Sequence, residues 1–194
     1  MSGKRDDRRV QFTKMLLRQS MIKLLHEKPV AKVTIKELCE SADINRGTFY
    51  AHFSDPIDLL HHTEEKAIED ISTYIEAFVT EHDTEAVKEA SLNLCNYIKK
   101  EALSWRALLS EKGSLDFYKK LYDVGYNDFV SKTDQHSGED AAAWKLMYTY
   151  ILTGGLGMVM RWLVEENDQT PEQVADILFH MIKPDIDLLL LKAT

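Results

Sequence analysis

The stretch that decides the fold is TIKELCESADINRGTFYAHF, residues 34–53. Thr34 followed three residues later by Glu37 has the S/T-x-x-E form of a capping box, in which hydroxyl and carboxylate satisfy exposed amides of a first turn. A short helix is therefore predicted from near Ile35 to about Ala42. Asp43 falls in a turn, and Asn45 is a good N-cap for a second short helix. Leu38, Ala42, Ile44, Phe49 and Phe53 can all point inward, with Cys39 a small residue where the two helices cross. Asn45, Arg46, Thr48, Tyr50 and His52 remain, and burying them together would leave polar groups without partners, so they face solvent or a ligand. Gly47 costs about 1 kcal/mol of helix propensity relative to Ala, which points to a close approach to the backbone at that position.

Working outward, apolar residues at Val10, Leu16, Leu17, Met21, Leu24 and Leu25 recur at helical spacing with Arg and Lys between them. Glu27-Lys28-Pro29 ends that helix. Downstream, Asp55-Pro56 supplies a cap and a first-turn proline, opening a longer helix through Leu59, Leu60, Ala67, Ile71, Ile75 and Phe78. Two short helices joined by a tight turn, between two longer ones, have the layout of a helix-turn-helix module.

The chain has 194 residues, 44% of them hydrophobic, enough for one large or two small globular domains. The opening MSGKRDDRR is too polar for a secretory signal, and the longest apolar stretch, residues 146–164, is interrupted by Gly154, Gly155, Gly157 and Arg161. A cytoplasmic protein without a membrane partner is expected. Cys39 and Cys95 form no C-x-x-C motif and read as small buried hydrophobes. Residues 1–60 hold 11 Lys and Arg against 8 Asp and Glu, a net +3, and the remainder 13 against 24, a net −11, consistent with the chain's −8. That asymmetry suits a small anion-meeting module on an acidic body, or equally a drift of charge along a surface.

Residues 34–60, TIKELCESADINRGTFYAHFSDPIDLL, resemble the DNA-binding segment of the TetR/AcrR family of bacterial transcriptional regulators. The match combines the capping box, R-G-T-F-Y-x-H-F and the Leu-Leu pair that follows. Further on, GGLGMVMRWLVEE and TPEQVADIL are similar to a subgroup common in Firmicutes, some of whose members regulate dihydroxyacetone kinase operons. The resemblance implies an all-α fold of about nine helices: a three-helix helix-turn-helix domain over residues 1–54, and a dimerisation and ligand domain over 55–194. It implies a homodimer on double-stranded operator DNA. Arg46 is the first candidate for reading guanine, Asn45 and Thr48 are further contacts, and Gly47 permits close approach. Tyr50 and His52 match phosphate-contact positions, unless they pack on the opening helix. Thr34 holds a phosphate at a helix start, and Lys32 and Lys36 add cations.

Two positions depart from the family pattern. Asp43 stands where Gly is usual, and Asp tolerates a left-handed backbone better than most residues. Pro56 stands where many members carry a phosphate-binding lysine, with Asp55 beside it, which predicts weaker non-specific DNA affinity.

In the acidic body, helices are predicted near 84–100, 102–110, 114–132, 140–166 and 171–191, the last capped by Thr170-Pro171-Glu172 and kinked or broken at Pro184. Met158, Trp162, Val174, Ile177, Leu178 and Met181 are candidates for a four-helix dimer interface. Phe117, Tyr118, Tyr122, Tyr126, Trp144 and Tyr148 are candidates for an effector cavity, although aromatics at helical spacing are more often core. Gly154-Gly155-Leu156-Gly157 reads as close helix packing, as a helix break that opens space, or, least well, as a phosphate loop. His61, His62, Glu64 and Glu65 read as a solvated face before a metal site. No nucleophile elbow, H-E-x-x-H or phosphate loop occurs, so neither an enzyme nor a cofactor is expected. The function implied is a repressor released from a palindromic operator by a small-molecule or protein effector. The alternative is a protein-interaction adaptor or co-activator on the same fold.

Overall fold

A computed structural model describes the backbone of residues 3–80, 83–113, 116–133, 141–165 and 168–192. It describes their side chains except at 3–7, 76–80, 128–133, 141, 143–144, 147–148, 182 and 184–192. Among the described residues there are nine α-helices and no strand: α1 (Gly3–Glu27), α2 (Ile35–Ala42), α3 (Arg46–Tyr50), α4 (Pro56–Thr80), α5 (Thr84–Lys100), α6 (Ala102–Leu108), α7 (Phe117–Thr133), α8 (Ala141–Val164) and α9 (Pro171–Lys192). The all-α architecture expected from the sequence is observed. A 3-10 turn at Val30–Lys32, not anticipated, carries the chain from α1 to α2.

The chain divides into two compact units, residues 1–67 with 106–117, and residues 68–105 with 118–194. In the first, α1 packs on α2 and α2 on α3. Leu17, Met21, Leu25, Leu38, Phe49 and Leu59 are fully buried there, and Ile44 is half-buried. Large apolar side chains of this kind each contribute roughly 1.5–3 kcal/mol on leaving water.

In the second unit α9 packs against α5 and α8. Val87, Leu94, Cys95 and Ile98 of α5 are buried, as are Val174, Ala175, Leu178 and Phe179 of α9. Asp83 caps α5 by accepting the Ala86 amide at 3.1 Å. Thr170 caps α9 as expected and forms a box with Gln173: the Thr170 amide donates to Gln173 Oε1 at 3.0 Å, and the Gln173 amide to Thr170 Oγ1 at 3.4 Å. Both cysteines are free and buried, and burial pushes the Cys95 thiol up to about 11.

Of the two outcomes expected at Pro184, a break does not occur: α9 runs through it, since a proline removes only one amide from the ladder. α8 likewise runs unbroken through the glycines. A Cβ on Gly155 would lie 3.4 Å from Leu178 Cδ1, so α9 meets α8 there in ordinary contact, whereas Gly154 and Gly157 have open space around them.

Candidate nucleic-acid interface

The start of α2 is built as its sequence requires. Thr34 Oγ1 accepts the Glu37 amide at 3.3 Å, and Glu37 Oε2 accepts the Thr34 amide at 3.0 Å and the Thr34 hydroxyl at 2.7 Å. Lys28, just beyond α1, donates to the other oxygen of Glu37. The Lys28 ammonium first, and then the Thr34 hydroxyl and amide, hold the Glu37 carboxyl down to about 2.

The turn after α2 is made by Asp43, which caps the helix in the left-handed region at φ 52°, ψ 49°, with its amide directed to the Cys39 and Glu40 carbonyls. Among the described residues it is the one non-glycine with positive φ. Its short polar side chain makes that conformation less costly than a branched residue would. Asn45 then caps α3, its Oδ1 accepting the Thr48 amide at 2.8 Å and the Thr48 hydroxyl at 3.1 Å. A Cβ on Gly47 would sit 3.2 Å from that same Oδ1. The glycine thus has a reason internal to the chain, since it leaves room for the cap.

Phe49 and Phe53 anchor α3 and the chain after it, fully or almost fully buried with ring centroids 6.0 Å apart. Lys14 of α1 lies 5.9 Å from the Phe53 ring centroid, and the His62 ring of α4 lies 5.4 Å from it. With those anchors inside, Asn45, Arg46, Gly47 and Tyr50 are exposed, and Thr48 and His52 half-buried. Tyr50 is 59% exposed, with its ring edge-on to Phe49 at 5.8 Å. His52 leans edge-on to Phe53 at 6.4 Å. Lys32, Thr34 and Lys36 are also exposed. Lys36, Asn45 and Arg46 share a shallow groove with Cys39, Glu40, Asp43 and Ile44. One capped helix crossing another therefore presents an outward polar and cationic set, with the backbone of α3 uncovered at Gly47. This is the local geometry of a helix that enters a DNA groove.

The amide end of α4 is differently furnished. Asp55 Oδ1 accepts the amides of Ile57 at 2.8 Å and Asp58 at 2.9 Å, and Asp58 Oδ2 accepts the Ser54 amide at 2.8 Å and its hydroxyl at 3.2 Å. Two carboxylates hold amides that could otherwise receive a phosphate.

The family model described as "Bacterial regulatory proteins, tetR family" matches residues 21–62, which hold this geometry. That described as "Transcriptional regulator C-terminal region" matches residues 85–184, just over half of the chain. The chain belongs to the TetR family. It is accordingly a DNA-binding transcriptional regulator with a helix-turn-helix.

Solved structures of bacterial regulators share its fold. A regulator from Streptococcus agalactiae 2603V aligns over 91% of this chain and 97% of its own, with TM-score 0.61 and 19% identity. The dihydroxyacetone kinase operon activator DhaS aligns over the same shares with TM-score 0.63 and 12% identity. A transcriptional regulator from Aquifex aeolicus VF5 aligns over 88% and 98%, with TM-score 0.64 and 21% identity. No curated protein sequence matches.

The remaining candidate residues scatter. Phe117 is fully buried and falls in the first compact unit, while Tyr118, Tyr122 and Tyr126 fall in the second. Tyr122 and Tyr126 stack with centroids 5.9 Å apart, and the Tyr122 hydroxyl reaches Thr149 Oγ1 at 3.3 Å. The side chains of Trp144 and Tyr148 lie outside the described residues. Of the interface candidates, Trp162, Val174 and Leu178 are buried inside the subunit at 4%, 2% and 4% exposure, and Met158 is half-buried. Burial removes those three from any surface contact. Ile177 and Met181 are exposed. So are Leu146, Tyr150 and Val164 of α8, which sequence reasoning overlooked because a helix that is apolar all round does not declare its outer face.

His61 and Glu65 are exposed and Glu64 is fully buried. Among the described residues no group of three or more His, Cys, Asp or Glu is placed to hold a metal ion. Among the same residues no helix is long and apolar enough to cross a membrane.

Proposed function

We propose that this regulator binds a palindromic operator as a homodimer in the cytoplasm, represses transcription, is released by a small-molecule or protein effector, and is not an enzyme. The observation that carries the reading is the outward set on α3: Arg46 exposed on a helix held in place by buried Phe49 and Phe53. Arg46 reads a guanine edge, Asn45 and Thr48 contribute from the capped end, and Tyr50 and His52 meet phosphates with Lys32, Thr34 and Lys36. Asn45 and Thr48 give part of their hydrogen-bonding capacity to the cap, which leaves Arg46 as the main reader.

Exposed Leu146, Tyr150 and Val164 on α8, with Ile177 and Met181 on α9, support a two-fold contact through these helices. A dimer is also a functional requirement, since one recognition helix reads one half-site. The stacked Tyr122 and Tyr126 are the part of the aromatic set suited to meeting an effector.

A second reading, a co-activator or adaptor working through a protein partner, is favoured by Asp55 and Asp58, whose carboxylates occupy the amide end of α4. Sequencing the DNA selected by the purified protein separates the two. The repressor reading expects an enriched palindrome whose recognition is lost in Arg46→Ala. No enrichment, or an Arg46→Ala variant that selects the same DNA equally well, overturns it.

A further inference from the structure

Resting on the reading above, we propose that Lys112 is a positioning residue for operator binding: a turn far downstream of the DNA-contacting helices clasps the linker between α1 and α2. The Val30 amide donates to the Lys112 carbonyl at 3.0 Å, and the Lys112 ammonium donates to the His26 carbonyl in the last turn of α1 at 2.5 Å. A cation on the final carbonyls of a helix is favoured both by its hydrogen bond and by the helix dipole. One residue, 86 positions from His26, thus holds both the end of α1 and the linker just after Pro29.

The turn that presents Lys112 is itself held in shape. Ser110 Oγ donates to the Ala107 carbonyl at 2.8 Å and accepts the Lys112 amide at 3.2 Å, and the Gly113 amide donates to the Ser110 carbonyl at 3.1 Å. A Cβ at Gly113 would lie 2.7 Å from the Leu108 carbonyl oxygen, so only glycine fits without moving backbone. Ala107 and Leu108 are each 1% exposed, which seats the turn on buried residues. Residues 106–117 accordingly belong to the same compact unit as α1, α2 and α3.

What the clasp fixes is the approach to the phosphate-facing end of α2. The linker continues through the Val30–Lys32 turn to Thr34, and its Lys28 bonds Glu37, the carboxylate that closes the Thr34 capping box. Lys32 and the Thr34 amide end are therefore set by a network that starts at Lys112, although Lys112 touches no nucleic acid. A ready-placed contact avoids the ordering cost that a mobile linker would add to binding.

The test uses the full-length protein and the DNA sequence it selects, in a fluorescence-anisotropy salt series. Lys112→Met keeps the aliphatic stem and removes the ammonium. It is expected to weaken operator binding about fivefold or more, the lower range of coupling between linked sites, with Lys112→Arg restoring affinity. The log–log salt slope stays that of the wild type, whereas loss of a direct phosphate contact would flatten it by about 0.9. Gly113→Ala, which displaces the turn, is expected to weaken binding in the same way. Hydrogen exchange on the unaltered protein supplies a readout independent of variant folding: operator binding slows exchange of the Val30 amide. Wild-type affinity in Lys112→Met, a flattened slope, or a Val30 amide indifferent to operator each overturns the proposal. Failure of the wild-type protein to select any DNA sequence overturns the proposed function and this inference with it.

Discussion

Asn45 Oδ1 accepts the Thr48 amide at 2.8 Å and the Thr48 hydroxyl at 3.1 Å, and these two bonds hold the first turn of α3. The same oxygen lies 3.2 Å from the point where a Cβ on Gly47 would be, so the cap and the glycine form one device. Asn45→Ala is expected to cost about 1 kcal/mol of stability through loss of the cap. Gly47→Ala gains up to about 1 kcal/mol of helix propensity and loses part of it by crowding Oδ1. Its melting temperature is expected to stay near that of the wild type while operator affinity falls, because the added methyl stands where the DNA comes close. Thermal denaturation alongside an affinity measurement checks both halves.

The carboxylates at the start of α4 make a salt-dependence prediction. Pro56→Lys restores the cation that many relatives carry and is expected to steepen the log–log salt slope by about 0.9, the increment for one more neutralised phosphate. An unchanged slope would mean that the DNA backbone does not run past this corner.

Glu37 sets an acid limit for the helix-turn-helix unit. Its carboxyl lies well below the ordinary value near 4.5, at about 2, because Lys28 and Thr34 bond the ionised form. A group whose folded pKa is depressed contributes stability that is fully present above its unfolded value and is lost as pH falls through the folded one. The contribution of Glu37 is therefore intact above about 4.5 and drains between there and about 2. Lys28→Met is expected to raise the Glu37 pKa toward its ordinary value, which carbon-detected NMR titration of the carboxyl reads directly.

In the proposed dimer, position on α9 separates association from folding. Met181→Glu, at a side chain 51% exposed, is expected to leave the subunit folded and to shift it from dimer to monomer in light-scattering chromatography. Leu178→Ala, at a side chain 4% exposed, is expected to cost about 2–5 kcal/mol of subunit stability through the cavity it leaves. A Met181→Glu protein that remains dimeric would move the association surface away from this face of α9.

Much of the helix-turn-helix was legible in residues 34–60 because its signals are local. The Thr34 box, the Asn45 cap, the turn at Asp43 and the Asp55-Pro56 start each act across two to four residues, where backbone geometry leaves few alternatives. Phe49 and Phe53 declared themselves inward by spacing alone. The body was legible as helices and much less so as a surface. α8 is apolar around most of its circumference, so Trp162 and Leu146 looked alike in sequence, yet one is 4% exposed and the other 73%. Whether Pro184 breaks its helix was open in the sequence for a related reason, since one missing amide says nothing about the bonds on either side of it.

Local sequence settled where α2, α3 and α4 begin, which residues cap them, and which side chains on α3 are too polar to bury, because those outcomes depend on neighbours within one or two turns. Tertiary structure alone decided that Leu178 is core and Met181 surface, and that Lys112 reaches His26 and Val30 across more than 80 positions. A backbone carbonyl has no residue-type signature, and the face that a helix turns inward is chosen by what packs against it.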